Sequence, residues 1–191
     1  MKCTELVIQD HVVIRRGLDI LDGMLTQLES GERIEIADVS AILKFLQAFG
    51  DEYHQTMEER VLFPALVRAA PEGSPIHQMV MEHGEDRALV TWITEALGAR
   101  RVVDFVYSSR RLCMLLRKHI DREDAVLCDL ASQLFSKDED SIIVAEFRKN
   151  RTEPESYLDF SRLERKYIRK LPVNSWTLQP EIMRRGRAAG H

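Results

Sequence analysis

The sequence predicts an all-α protein, an antiparallel up-down-up-down four-helix bundle that is followed by a helical C-terminal extension. Apolar residues recur every three or four positions in four successive segments, and this is the period of an amphipathic helix. No segment shows the alternating pattern of a strand. The chain has 191 residues, of which 45% are hydrophobic and 30% are charged. One domain with an extension can therefore bury its own core.

The first helix is predicted from a stripe whose members are separated by alternating steps of four and three residues. The stripe consists of Val7, His11, Ile14, Leu18, Leu21, Leu25 and Leu28. Ser30 and Gly31 are expected to end this helix. A second helix is expected to begin near Asp38, which can cap it, and Pro64 is expected to kink or end it. Its inward positions are Ile42, Leu46, Phe49, His54, Glu58, Val61 and Leu62.

Two further helices follow the connection from Pro71 to Pro75, whose composition is typical of a loop. The third helix is expected to place Ile76, Val80, His83, Val90, Ile93 and Leu97 inward, with Gly98 after its last apolar residue. The fourth helix carries one line formed by Phe105, Leu112, Leu116, His119, Glu123, Leu127, Leu130 and Leu134.

The bundle is predicted to occupy residues 1–136 and the extension residues 137–191. Lys137 to Lys149 can form a fifth helix that packs Ile142, Ile143 and Phe147. Tyr157 to Leu171 can form another short helix, and the last twenty residues are expected to be a tail. The basic residues of this end are expected to dock on the acidic bundle or to stay solvated, rather than to bind nucleic acid, because no binding motif accompanies them. They are Arg162, Arg165, Lys166, Arg169, Lys170, Arg184, Arg185 and Arg187.

Four histidines and two glutamates on these helices suggest a metal site. Two pairs share the form His-x-x-x-Glu: His54 with Glu58, and His119 with Glu123. Residues four apart lie on one face of a helix, so each pair can offer an imidazole nitrogen and a carboxylate in the same direction. Two facing pairs, together with His11 and His83 from two other helices, make a cage large enough for two metal ions.

The positions of the histidines along their helices support this site. His11 lies about 18 residues, or ~27 Å, before the end of the first helix, and His54 lies about 16 residues, or ~24 Å, after the start of the second. His83 and His119 match in the same way. A single histidine is more often an ordinary core residue, but six ionisable groups buried without a cation would cost several kcal/mol per unpaired charge. The spacing therefore favours a metal centre, for which iron, manganese and zinc all remain candidates.

Three segments that contain these residues resemble the signature of hemerythrin-like, or HHE cation-binding, proteins. They are Tyr53–Leu66, Met81–Arg87 and His119–Leu127, and with His11 the resemblance covers about residues 5–136. It implies a four-helix bundle that holds two irons bridged by carboxylates. His11, His54, His83 and His119 would be terminal ligands, and Glu58 and Glu123 would bridge the metals.

The sequence departs from the oxygen-carrying members of that family at two positions. Those members have a further histidine one turn before the one on the third helix, where this chain has Met79. Many relatives also have a second histidine where this chain has Gln55. His77 is expected at the surface or the helix start, because it lies about 120° around the helix from His83. These departures argue against reversible oxygen transport.

Several neighbouring residues are expected to support the site. Glu59, Glu82, Asp121 and Asp124 are expected to be solvated or to hydrogen-bond to the metal ligands, and Tyr53 is expected to pack. Cys3, Cys113 and Cys128 form no C-x-x-C pair and are expected to be buried thiols. The chain shows no signal peptide and no apolar run of membrane-spanning length, which predicts a cytoplasmic protein.

The predicted function is a non-haem di-iron protein that binds or responds to O2, NO or peroxide during stress. A second hypothesis is an iron donor or repair protein for damaged iron–sulfur centres. A third is a regulatory module that contacts a protein partner through the basic C-terminal segment. An oxidative enzyme also stays open, since di-iron bundles host oxygenases.

Overall fold

A computed structural model describes residues 2–70, 75–154 and 157–168. All regular structure in these residues is helical, which confirms the predicted all-α class. The α-helices are α1 (Cys3–Glu29), α2 (Ile36–Phe45), α3 (Phe63–Ala69), α4 (Ile76–Gly98), α5 (Val102–Arg122), α6 (Cys128–Leu134), α7 (Lys137–Asn150) and α8 (Phe160–Tyr167). Three π-helical segments, Leu46–Gln55, Glu58–Leu62 and Glu123–Leu127, lie between α2 and α3 and between α5 and α6. Among the described residues, no helix combines the length and apolar character needed to cross a membrane.

The π-helical segments join shorter helices into two continuous rods. The backbone is helical without a break from residue 36 to residue 69, the second rod, and from residue 102 to residue 134, the fourth rod. Pro64 was expected to kink or end its helix, and the expectation of an end is wrong because the helix continues beyond it. Phe63 donates its backbone N–H to the Glu58 carbonyl five residues earlier, so Pro64 falls in the first turn of α3, where its missing N–H is not needed.

The connections at the ends of α1 and α4 are short, and the predicted stops are observed. α1 ends at Glu29, and Gly31 then adopts a φ of 80°, a left-handed conformation that glycine reaches without strain. α4 ends at Gly98. Arg15 pairs with Asp121 at 2.7 Å and Arg110 pairs with Glu29 at 2.5 Å. Residues nearer the C-terminus of α1 therefore contact residues nearer the N-terminus of α5, so these two helices run in opposite directions.

The predicted inward stripes are mostly buried, with errors at their edges. Val80 is 42% exposed, and the neighbouring Met79 is fully buried instead. Ile142 is 65% exposed, while Ile143, Val144 and Phe147 of α7 are buried. Leu134, at the end of the fourth rod, is also exposed. Periodicity locates the centre of an apolar stripe, but the neighbouring helices decide which residues at its edge are covered.

Asp38 does not cap α2, because α2 begins at Ile36 and Asp38 lies within its first turn. Its buried carboxylate instead accepts hydrogen bonds from Arg162, Lys166 and the Tyr167 hydroxyl, each at 2.7 Å. The short helix expected over Tyr157 to Leu171 is α8, and it is shorter than expected. Docking of the basic end on the bundle is confirmed for Arg162 and Lys166. The expected tail, with Arg169, Lys170, Arg184, Arg185 and Arg187, lies outside the described residues.

The contacts of Asp38 hold its carboxyl group ionised. Burial alone would raise its pKa, but the hydrogen bonds from Arg162, Lys166 and Tyr167 outweigh burial and keep the pKa well below its usual range. The contact therefore stabilises α8 on the bundle in a pH-dependent way.

We expect Asp38→Asn to lower the free energy of unfolding by about 1–3 kcal/mol at pH 7, because three donors lose their charged acceptor. The folded pKa of Asp38 lies below its unfolded value of about 3.9. The contribution is thus present above that value and is lost as pH falls towards the folded pKa. Urea unfolding of both proteins at pH 7 and at about pH 3.5 should show a smaller difference at the lower pH. Asp138→Asn, which changes an exposed carboxylate in the first turn of α7, is the control, and an equal difference at both pH values would contradict the prediction.

Candidate metal centre

The six predicted site residues come together inside the bundle, and each is at most 3% exposed. α1 supplies one of them, the second rod two, α4 one and the fourth rod two. They are His11, His54, Glu58, His83, His119 and Glu123. The spacing and register predicted from the sequence therefore correspond to a real cluster in space.

The six residues form two overlapping groups, each of which could hold a metal ion. One group contains His11 and His54, and the other contains His83 and His119. Glu58 and Glu123 belong to both groups. Within each group, one suitable nitrogen or oxygen atom from every residue lies within 4.8 Å of the others.

Glu58 presents a different oxygen to each group. Its Oε1 lies 3.4 Å from His54 Nε2 and 3.9 Å from His11 Nε2. Its Oε2 lies 3.5 Å from His83 Nε2. One carboxylate thus faces histidines of both groups at once.

Glu123 lies between the groups in a comparable way. Its Oε2 is 3.2 Å from His11 Nε2 and 3.2 Å from His119 Nε2. His83 Nε2 and His119 Nε2 are themselves only 3.0 Å apart. Nitrogen and carboxylate oxygen atoms therefore converge from all four helical stretches.

Several of these converging atoms have no hydrogen-bond partner among the described residues. They are both carboxylate oxygens of Glu58, both of Glu123, and His11 Nε2. Buried carboxylates without a partner are costly, and a cation among them removes that cost. Imidazole nitrogen with carboxylate oxygen is a donor set that suits iron, manganese or zinc. The residues present therefore fit a metal centre.

The ionisation of the cluster also reflects its burial. Burial, reinforced by the charge of Glu123, raises the pKa of Glu58 well above its usual range. Burial acts in the same direction on Glu123, but the imidazoles of His11 and His119 beside it outweigh burial and lower its pKa. Burial lowers the pKa of His83 to about 4, with the charge of His119 acting in the same direction. At His119, by contrast, the contacts with Glu123 and Glu82 outweigh burial and raise the pKa to about 9, so the pKa values within the cluster shift in opposite directions.

A carboxylate lies behind each histidine, and at His11, His83 and His119 it is within hydrogen-bond distance of Nδ1. Such a contact at Nδ1 leaves Nε2 free to face the centre. The pairs are His11 with Asp124 at 2.7 Å, His83 with Glu59 at 2.8 Å, His119 with Glu82 at 2.9 Å, and His54 with Asp10 at 3.8 Å. The expected supporting roles of Glu59, Glu82 and Asp124 are confirmed. Asp121 contacts Arg15 instead, and the role of Asp10 was not predicted.

A repeat in the sequence accounts for this arrangement and could have revealed Asp10. The first pattern is an acidic residue followed directly by a histidine, with an arginine four residues after the histidine. It occurs in Asp10–Arg15 and again in Glu82–Arg87. His-x-x-x-Glu followed by a second acid occurs in His54–Glu59 and in His119–Asp124. In both halves, the acid before the histidine lies behind the histidine of the neighbouring rod, at 2.9 Å for Glu82 and at 3.8 Å for Asp10. The site is therefore built twice from the same two patterns.

The arginines that contact Glu82 and Asp10 come from different parts of the chain. Glu82 contacts Arg122 from the fourth rod. Asp10, which is fully buried, has Arg151 at 3.3 Å, and Arg151 follows α7 in the predicted extension. The extension thus supplies one positive charge to the bundle interior.

The two residues at which the sequence departs from the oxygen carriers, Met79 and Gln55, are both buried. Met79 is fully buried and His77 is exposed, as expected. Gln55 is buried and donates from Nε2 to Asp86 Oδ2 at 3.0 Å. Tyr53 packs against Phe49, with ring centroids 5.3 Å apart, which confirms the packing role.

The cysteines take the predicted structural role. Cys3, Cys113 and Cys128 are buried and unpaired with one another. Burial raises the pKa of the Cys113 and Cys128 thiols to about 12. Thiolate chemistry is therefore disfavoured at these positions.

A comparison with protein families agrees with this geometry. The model of the hemerythrin HHE cation binding domain matches residues 4–131. None of the curated proteins and none of the solved structures compared gives a significant match.

We expect Arg151→Ala to lower the free energy of unfolding by about 2 kcal/mol, because Asp10 would stay buried without its cation. Urea unfolding at neutral pH measures this change. Arg148→Ala, an exposed arginine of the same helix end, is the control and should change stability by no more than about 0.5 kcal/mol. Equal effects of the two substitutions would contradict the role of Arg151.

Proposed function

Since the chain belongs to the family of hemerythrin HHE cation-binding domains, we propose that it is a non-haem di-iron protein that binds or responds to O2, NO or peroxide. The observation that carries the proposal is the sharing of Glu58 and Glu123 between two histidine pairs. A carboxylate that faces two nitrogen pairs is suited to bridging two cations. Iron is the metal we propose, and manganese and zinc are the alternatives with the same ligand preference.

In this proposal each half of the site holds one iron. His11 and His54 bind one ion, His83 and His119 bind the other, and both glutamates bridge. Iron held by these residues would supply redox chemistry and coordination positions for a small ligand. The chain itself orients the histidines through Asp10, Glu59, Glu82 and Asp124, and it keeps bulk water away with the buried side chains of Leu18, Phe49 and Leu116.

We further propose the up-down-up-down topology for α1, the second rod, α4 and the fourth rod, with residues 1–136 as the bundle and residues 137–191 as its extension. The reversed pairing of α1 with α5 supports this topology. The short connections of residues 30–35 and 99–101 also support it, because such connections place successive helices side by side in opposite directions.

The proposed output is sensing or protection under oxidative or nitrosative stress, rather than oxygen transport. Met79 occupies the position one turn before His83, so the described residues offer no fifth histidine there. We place this activity in the cytoplasm, which agrees with three cysteines that remain unpaired.

A regulatory role for the extension is the second candidate. The contact between Arg151 and Asp10 favours it, because it connects the extension to a carboxylate behind a site histidine. A protein partner that displaced residues near Arg151 would alter the surroundings of His54.

We expect the protein, purified anaerobically from iron-supplemented cells, to contain two irons per chain, and Glu58→Ala to contain fewer than one. The reason is that Glu58 belongs to both groups. Elemental analysis gives the metal content, and circular dichroism checks the fold. The exposed His77→Ala variant is the control and should keep both irons. An unchanged iron content in Glu58→Ala would contradict the bridging role.

Asp124→Asn should weaken iron binding by about 10–100-fold, because the carboxylate behind His11 fixes its orientation. Competition with a chelator of known affinity measures this change. Asp121→Asn is the matched control from the same helical stretch, since Asp121 contacts Arg15 and no histidine. Similar weakening in both variants would mean that general surface charge, and not ring orientation, is responsible.

Separate titrations of the di-ferrous protein with nitric oxide, O2 and hydrogen peroxide test the ligand chemistry. We expect the absorption spectrum to change and to saturate near stoichiometric ligand, because the four histidines and two glutamates leave coordination positions open. No spectral change with any of the three ligands would overturn the proposed function, even if iron is bound.

A further inference from the structure

A cavity beside the metal centre contains two buried polar residues that the proposed site does not use. The cavity has a volume of about 330 Å³, and its lining includes His54, His119, Gln55 and Asp86. His54 belongs to one metal-binding group and His119 to the other. A molecule in the cavity therefore lies beside both halves of the site.

Gln55 and Asp86 form a buried pair whose hydrogen bonding is incomplete. Each is at most 4% exposed, and Gln55 Nε2 donates to Asp86 Oδ2 at 3.0 Å. Gln55 Oε1 and Asp86 Oδ1 have no hydrogen-bond partner among the described residues. Because the amide nitrogen faces the carboxylate, the atom left over on Gln55 is its oxygen, an acceptor. Both residues line the cavity, so the pair adds to the cavity wall two oxygen atoms that have no partner in the described part of the chain.

The rest of the lining combines apolar side chains with charged ones such as Asp51 and Arg87, which are partly exposed, whereas Gln55 and Asp86 are buried. Ile14, Leu46, Val90 and Leu116 contribute side chains to it. Two buried oxygens that lack a hydrogen-bond donor favour a ligand that donates hydrogen bonds. Neither O2 nor NO carries a hydrogen to donate, whereas hydrogen peroxide carries two O–H groups.

The volume allows more than a diatomic molecule. A water molecule in the liquid occupies about 30 Å³, so the cavity has room for hydrogen peroxide or for a small alkyl hydroperoxide. The apolar side chains would then contact the alkyl part of such a ligand.

We propose that Gln55 and Asp86 bind a hydroperoxide in this cavity, and that they make hydroperoxides the ligand class of the site in preference to O2 and NO. This inference rests on the proposed di-iron function and narrows it to one class of ligand. The pair fixes the peroxide through its O–H groups beside His54 and His119. Asp86 belongs to neither metal-binding group, so its role is binding of the ligand and not of the metal.

The double variant Gln55→Leu/Asp86→Leu removes the pair without leaving half of it buried and unpaired, which limits its effect on stability. Stopped-flow spectroscopy follows the reaction of the di-ferrous protein with hydrogen peroxide, and separately with O2 and NO. We expect the second-order rate constant for peroxide to fall by roughly tenfold or more, since two hydrogen bonds are lost. The rate constants for O2 and NO should stay within about twofold, because neither gas donates a hydrogen bond.

Thr94→Val is the matched control, because Thr94 lines the same cavity and its hydroxyl donates to the Val90 carbonyl. It should leave all three rate constants unchanged. If the double variant slows all three ligands equally, or none of them, the inference is overturned.

A measurement without iron chemistry keeps the inference testable if the double variant does not fold. In the zinc-loaded wild-type protein, the side-chain amide signals of Gln55 should shift and saturate as hydrogen peroxide or tert-butyl hydroperoxide is added. Absence of any shift would overturn the inference. Failure of the wild-type protein to bind two irons would instead overturn the proposed function, so the two failures are distinguishable.

Discussion

Two glutamates buried in the middle of the bundle impose the constraint around which the rest of the molecule is arranged. Glu58 and Glu123 are essentially inaccessible to water, and their four carboxylate oxygens have no hydrogen-bond donor among the described residues. Such groups are expensive to bury unless positive charge lies close by. The four histidines and a bound cation are what can compensate them, so the four helical stretches must converge at one level.

Moving outward from this centre, the sign of the charge alternates. The histidines are backed by carboxylates, and arginines lie behind several of these carboxylates. Glu59 is contacted by Arg87, Glu82 by Arg122 and Asp10 by Arg151. Each shell compensates the one inside it, which is how buried ionic networks avoid unpaired charge. Because Arg151 lies beyond the part of the chain that matches the family, this chain completes one half of the network with a segment that the family match does not include.

The sequence predicted the centre of the site well because its signal is local. A four-residue spacing marks the pairs His54–Glu58 and His119–Glu123 as neighbours on a helix face. The lengths of the helices then place His11 and His83 at the same level along the bundle. The role of Asp10 was not predicted because Asp10 lies behind a histidine of another rod, although its position beside His11 matches that of Glu82 beside His83. Asp38 was misread as a cap because its partners lie on α8, 124 and more residues away. Gln55 and Asp86 form a pair only in space, so no local spacing marks them.

The π-helical turns that begin at Glu58 and Glu123 limit where residues can be inserted into or deleted from this chain. Each widened turn holds one residue more than an α-turn, so the residues before and after it are offset by about 100° from a regular α-helix. Deleting one residue from Glu58–Leu62 would close the turn to an ordinary one. His54 could then no longer face the centre while Phe63 and Leu66 still face the core. Single-residue insertions and deletions should therefore be excluded from both glutamate turns, and length variation among natural variants should fall in the loops of residues 30–35 and 99–101.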